Sequence, residues 1–252
     1  MRNLQLTAID LVSLREQILG TEACTLDSLS DPSRWTSLPF PALSPQLPLD
    51  RFRFNPDGTF RFMGRQIFAD VYQVVSNLSW RTGTNYSLQG SLGSGKSHIL
   101  AALACLLVKE GRRVVYLPDA KRLAAAMVAY TKFALQLTYA DDRELFQRIQ
   151  GFKSTETICE FVQERQVCGE ELYFICGPMN TLDHYLVTGN KLGPQDQDDV
   201  LTFILQLSGF HKLIWSGSGN CQVISGQSSG VKRLLVQQGY NRVWPYRFVG
   251  II

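Results

Sequence analysis

No stretch of this 252-residue chain reaches the ~18 consecutive apolar residues that a membrane helix needs. The opening Met1-Arg2-Asn3-Leu4-Gln5-Leu6 has no continuous apolar core of the secretory-signal kind. The expectation is therefore no membrane association and an intracellular setting, cytoplasm or nucleus. The six cysteines form no C-x-x-C pair. Cys105 and Cys176 sit inside apolar segments and read as small buried hydrophobes. Free thiols are expected rather than disulfides or a zinc site. There is no concentrated basic stripe, and a net charge of +3 neither demands nor excludes a nucleic-acid partner. No internal repeat is present. A hydrophobic content of 45% is ordinary for a chain that buries a core.

Against these absences stands Gly90-Ser91-Leu92-Gly93-Ser94-Gly95-Lys96-Ser97. It fits G-x-x-x-x-G-K-[ST], the Walker A pattern, at every fixed position, with a further glycine inside the loop. Glycines let consecutive backbone N–H groups turn inward and form an anion nest. The loop runs into a helix whose first N–H groups are free donors at the positive end of the dipole. Lys96 is expected to reach the β- and γ-phosphates, and the Ser97 hydroxyl to hold Mg²⁺. Gly90 to Ser97, with His98 beside them, form the expected nucleotide-binding set. A glycine-serine turn that matches by chance is the competing explanation. The context argues against it. Asn85-Tyr86-Ser87-Leu88-Gln89 reads as the strand before the loop, and His98 to Glu110 as a helix apolar almost all round, hence buried. Gly111 ends that helix. An Asn-Lys-x-Asp base-reading motif is absent, which favours ATP over GTP.

The rest of the chain alternates strands with helices. Residues 7–20 carry an amphipathic helical pattern. Ser28 to Leu49 is dense in proline and serine and reads as an irregular linker. A hairpin follows, with Phe52 and Phe54 facing Phe60 and Phe62 across the turn Asn55-Pro56-Asp57-Gly58. Its other face would carry Arg51, Arg53 and Arg61. A phosphate contact is one reading of these arginines, and a solvated face is the commoner one. A helix over 65–79 leads to the P-loop strand. Arg113 to Leu117, Glu171 to Cys176, His211 to Ser216 and Tyr246 to Ile252 read as further strands. Between them, helices are expected over 120–137, 141–150, 154–165, 196–207 and 231–237. Alternation of this kind means a parallel sheet with right-handed crossovers, and the ligand belongs at the carboxyl ends of its strands.

One residue is missing from that site. P-loop ATPases place an acidic Walker B residue at the end of a buried strand, where it helps to hold Mg²⁺. Here the apolar run Leu172-Tyr173-Phe174-Ile175-Cys176 ends in Gly177-Pro178. The next acid, Asp183, lies ~20 Å away along an extended chain. After the fourth strand, Asn220 suits a polar sensor of the γ-phosphate, in competition with Ser216 and Ser218 and with a simple turn. Asn220 and Lys96 are the expected catalytic residues.

Taken together, Gly90 to Ala101, Arg113 to Asp119, Leu172 to Asp183 and Leu213 to Asn220 resemble the P-loop NTPase module of Crinkler effectors and related retrotransposon-hot-spot-type proteins. The resemblance runs from about Phe52 to the C-terminus. Asn180, Leu182 and Asp183 match the tail of the family's third-strand segment, while Gly177-Pro178 replaces its Asp-Gln. The resemblance implies an AAA-like core of the ASCE type, with the third and fourth strands beside the first. It also implies phosphate binding by Gly95, Lys96 and Ser97. The family's leader motif is absent and the chain ends at the fifth strand, so a partial member without a lid is expected. Secretion and effector activity do not carry over.

The expected fold is α/β: a three-layer P-loop NTPase with a mostly parallel five-stranded sheet flanked by helices, plus an N-terminal β-hairpin and helix. Residues 1–50 are expected to form the helix and linker, and 51–252 the NTPase domain. The expected function is ATP binding with Mg²⁺ and weak or lost hydrolysis. The alternative is an active ATPase in which Asp183 or Asp119 supplies the acid, or a partner supplies an acid or an arginine. In a second copy, Arg233 and Arg242 are candidates for such an arginine. Expected partners are the nucleotide and a protein or second copy of the chain; nucleic acid has no support from charge.

Overall fold

The computed structural model describes residues 8–43, 46–79, 84–91, 93–179, 194–218 and 247–251. Five strands form one parallel sheet: β3 (Asn85–Gly90), β4 (Arg113–Leu117), β5 (Leu172–Cys176), β6 (Lys212–Ser218) and β7 (Arg247–Ile251). Two earlier strands, β1 (Trp35–Pro39) and β2 (Thr59–Met63), pair antiparallel in a separate ribbon. The order across the sheet is β4-β5-β6-β3-β7. The P-loop strand β3 therefore lies between β6 and β7, and β5 and β6 separate it from β4, the strand that follows it in sequence. This is the interposed order that the resemblance implies, and it makes the fold a three-layer P-loop α/β fold.

Alternation along the strands builds the layers. On β4, Val114 and Tyr116 face one core, while Val115 and Leu117 face the other. The first core gathers α1 (Ala8–Gly20), α2 (Leu26–Ser30), the β1–β2 ribbon, α3 (Gln66–Ser76) and α4 (Lys96–Lys109). Helix α4 is buried along nearly its whole length, as its all-round apolar sequence requires. The second core holds α5 (Ala120–Ala125), α6 (Met127–Thr138), α7 (Arg143–Gln150), α8 (Thr155–Val167) and α9 (Pro194–Ser208). Helix starts follow their caps: the side chains of Asp119, Asp142 and Ser154 accept N–H bonds from the first turns of α5, α7 and α8. Among the described residues, no helix is long and apolar enough to cross a membrane.

The hairpin has a different partner from the one expected. Phe54 makes only an isolated bridge to Phe60, and the strand opposite β2 is Trp35–Pro39. That strand lies within the proline-rich stretch read as irregular. Its Thr36 and Leu38 are buried while Trp35 and Ser37 are exposed, the alternation of a half-buried strand. Pro39 is tolerated because it ends a strand in a two-stranded ribbon, where its missing N–H breaks no central ladder. Phe52 and Phe54 gather instead around Phe40, with ring centroids 4.8 and 5.1 Å away. The three arginines consequently share no face. Arg51 pairs with Asp50 and Asp119, Arg61 lies over the Trp35 ring, and Arg53 is exposed. The helix expected over 120–137 is broken at Ala126, whose ψ of 56° lies outside the helical range. The two pieces serve different partners, α5 against α9 and α6 against β4. The segment 231–237 lies outside the described residues.

Candidate functional site: the phosphate loop

Strand β3 delivers Gly90 to the carboxyl edge of the sheet, and α4 begins at Lys96. Between them Gly93 and Gly95 both have φ of 81°, a left-handed conformation that favours glycine. Gly95 is the N-cap of α4 and provides no side-chain cap. The N–H groups of Lys96, Ser97 and His98 thus open the helix at its positive end. The Lys96 side chain folds back along the loop. Its Nζ donates to Gly90 O at 2.8 Å, Ser91 O at 2.7 Å and Ser94 Oγ at 3.2 Å. Those three bonds use every proton of the ammonium. Lys96 is only 8% exposed, and burial lowers its pKa. Among the described residues no carboxylate pairs with it. The site is a buried cation braced by neutral oxygens at a helix N-terminus.

Ser97, the second residue of α4, is half-buried. His98 uses its side chain for packing: the ring stacks on Phe52 at 4.3 Å and meets Phe60 edge-on at 6.0 Å. Burial, with Arg65 as a second cause, lowers the His98 pKa. Leu92 and Asn220 lie outside the described residues, as do Asn180, Leu182, Asp183, Arg233 and Arg242.

Gly177 stands where the spacing puts it. Its N–H continues the β5 ladder to Leu117 O at 3.1 Å. A Cβ added there would point toward α4, 3.1 Å from Ser216 Oγ and 3.3 Å from Leu100 Cδ1. The position is thus on the P-loop face of the sheet, one strand away from Ser216 on β6. Ser216 is fully buried and its hydroxyl has no hydrogen-bond partner among the described residues. Ser218 is the last residue of β6 and pairs with Gly90. Asp119 is already engaged. Its carboxylate accepts from Lys121 N and Arg122 N and pairs with Arg51 and Arg122.

Arg65 belongs to the site and was missed in the sequence. It is the N-cap of α3 and makes no side-chain cap bond. Its Nη1 donates to Ser94 O at 2.5 Å, and its guanidinium covers Gly95, where an added Cβ would stand 2.5–2.9 Å from three of its atoms. A signal was available: a cation at a helix N-terminus opposes the dipole, and such a local conflict marks a residue held for a distant contact.

Comparison with known proteins adds little. No family model and no curated protein matches the chain. Among solved structures it is similar to AMPPCP-bound DnaA from Aquifex aeolicus, at 17% identity and a TM-score of 0.40, over 83% of this chain and 51% of that one. The chain thus spans about half the length of that protein. A likeness of this size carries no argument, and the assignment of the fold rests on strand order and on the loop's place in the sheet.

Proposed function

We propose that the chain binds a nucleoside triphosphate, ATP with Mg²⁺, through Gly90 to His98, and hydrolyses it weakly or not at all. The observation that carries this reading is Lys96: a buried ammonium with no carboxylate partner among the described residues, held at the mouth of a glycine loop and a helix N-terminus. Burying a charge without a counter-ion is costly, and an anionic ligand at this spot supplies one. A phosphate would displace the longest of the three Lys96 bonds, that to Ser94 Oγ, and leave the two carbonyl bonds to brace the loop.

The donor set fits the ion less well than it fits the phosphates. Ser97 offers a hydroxyl, and Gly177 offers no side chain where an acid would stand. Among the described residues no group of three or more His, Cys, Asp or Glu could hold a metal. Bound Mg²⁺ would rest mainly on phosphate oxygens and water, which this ion tolerates. Its chemistry, when present, is to neutralise charge that develops on the phosphates. With the acid missing, the chemical step suffers more than binding does, and the nucleotide acts as a ligand or switch.

The second reading, an active ATPase, would need Asp119 to leave two backbone caps and two arginines, or Asp183, or an acid or arginine from a partner, to complete the site. The motif order supports placing the module (51–252, preceded by the helix and linker of 1–50) among Crinkler-type proteins in the cell interior. A second copy or another protein is the partner that reading favours.

The test is thermal unfolding with Mg·ATP, with Mg·ADP and without ligand, for the wild type and Lys96→Ala. Nucleotide at ~100 times Kd should add about 2.7 kcal/mol. A shift present in the wild type and lost in Lys96→Ala is the expected result. No shift in the wild type refutes the reading. Phosphate release then separates the two readings: it should be near background in the wild type and rise in Gly177→Asp.

A further inference from the structure

We propose that Arg65 is a positioning residue of the phosphate loop, acting through the Ser94–Gly95 peptide as a charged clamp behind the nest. The proposal rests on the nucleotide reading above. A trans peptide points its C=O and N–H in opposite directions. The Arg65 guanidinium holds the Ser94 carbonyl at 2.5 Å, while Lys96 bonds other loop oxygens, Gly90 O, Ser91 O and Ser94 Oγ. The Gly95 N–H, at the other end of the same peptide plane, is therefore turned away from the guanidinium. It has no acceptor among the described residues. A charged donor on the carbonyl also polarises the peptide and makes its N–H a better donor to an anion.

The clamp itself is anchored. The Arg65 N–H donates to Leu29 O and the Gly64 N–H to Arg34 O, both at 2.9 Å. At Gly64 an added Cβ would run into the Asp31 carbonyl oxygen and come within 2.8 Å of Ser28 O. The backbone that carries Arg65 is thus pressed directly onto α2 and the turn that follows it. On the loop side, Gly95 serves twice: its φ of 81° suits glycine, and its missing side chain leaves room for the guanidinium. Among the described residues no carboxylate neutralises Arg65. Its charge reaches His98 in the first turn of α4 and helps to lower that pKa. Arg65, Lys96 and the helix terminus thus form a corner of positive charge with no internal anion among the described residues. One of the two cations comes from a segment outside the loop motif.

Mg·ATP affinity by isothermal titration calorimetry, with the unliganded thermal midpoint, tests this in the full chain. The variants are Arg65→Met, which keeps the stem and loses the charge, Arg65→Lys, which keeps a charged donor, and Lys96→Ala. Arg65→Met is expected to weaken Mg·ATP at least tenfold, and Arg65→Lys to stay within threefold of wild type. Arg65→Met within twofold of wild type overturns the proposal, as does Arg65→Lys no better than Arg65→Met. If the methionine variant does not fold, Arg65→Lys decides alone: within threefold supports the clamp, and tenfold weaker overturns it. A wild type that binds no Mg·ATP removes the nucleotide reading and the clamp with it. Wild-type binding lost in Lys96→Ala but kept in Arg65→Met removes the clamp alone.

Discussion

Replacing Gly177 by alanine tests the packing at the end of β5, on the α4 face of the sheet. No positive φ constrains this glycine, so only space opposes a side chain. The added Cβ would meet Ser216 Oγ at 3.1 Å and Leu100 Cδ1 at 3.3 Å, each a few tenths of an ångström too close. Overpacking costs about 1–3 kcal/mol, and because Leu100 offers a movable methyl the low end is expected, ~1 kcal/mol. Ser216→Ala acts in the opposite sense. It removes a fully buried hydroxyl without a partner among the described residues, the kind of group whose desolvation costs about 1–3 kcal/mol. Small losses of contact, ~0.1–0.2 kcal/mol per atom pair, offset part of that. Ser216→Ala should therefore stabilise by about 1 kcal/mol, or roughly 2–4 °C in a domain of this size. In the double variant the Oγ that crowds residue 177 is gone, so Gly177→Ala should cost almost nothing. The coupling is about 1 kcal/mol, above the ~0.3–0.5 kcal/mol scatter of independent sites. Urea unfolding of the four proteins, with constant m-values as the check on the denatured state, measures it. Additive effects would refute the contact. A Ser216→Ala variant destabilised by more than ~1 kcal/mol would show that the hydroxyl has a partner after all.

Acid should weaken the fold through His211 and His98. His211 Nδ1 accepts the Leu172 N–H at 3.2 Å and Nε2 lies 3.1 Å from Val162 O, which fixes a neutral ring with the proton on Nε2. Burial lowers its pKa below 6.5, as it does for His98. The unfolded chain then binds more protons, so this stability is complete above about pH 6.5 and is lost as pH falls; His211→Gln should flatten the slope between about pH 6.5 and 5 in urea titrations. Gly64→Ala should destabilise by about 3 kcal/mol or more, because the carbonyls of Asp31 and Ser28 are backbone and cannot step aside; an unchanged urea midpoint would contradict the packing of α2 against Arg65. Among the described cysteines, thiol labelling at pH 8 should reach exposed Cys168 first. Cys24, pushed up to about 11, and Cys176, pushed up to about 12, are buried and should label only on unfolding.

Local chemistry made most of the sheet readable. The strand-loop-helix at Asn85 to Lys109 announces itself through glycine spacing and an all-round apolar helix. Strand β5, and β4 after Arg113, are unbroken apolar runs, as buried parallel strands are. Gly177 could be placed by counting along β5, and the structure puts it on the α4 face. What stayed hidden depended on contacts between distant segments. Phe52 and Phe54 alternate like a strand, yet their rings are drawn to Phe40, and β2 pairs with a strand that proline disguises. Ala124-Ala125-Ala126-Met127 consists entirely of strong helix formers and still breaks, because α5 and α6 pack on different elements. Arg65 lies far from the loop motif in sequence, and no spacing rule connects it to Ser94.

The β1–β2 ribbon also bears on how the chain tolerates being cut. Composition invites a start at Arg51, just past the proline-rich stretch, for anyone seeking a minimal nucleotide-binding unit. Such a protein would keep every Walker A residue. It would lose Leu38 and Phe40 from the core and leave β2 with no strand beside it. The freed β2 edge, backed by Phe60 and Phe62, is the kind of surface that recruits strands from other molecules. It would also lose the Leu29 carbonyl that anchors Arg65. A shortened chain is therefore expected to aggregate, and its failure to bind nucleotide would say nothing about the loop.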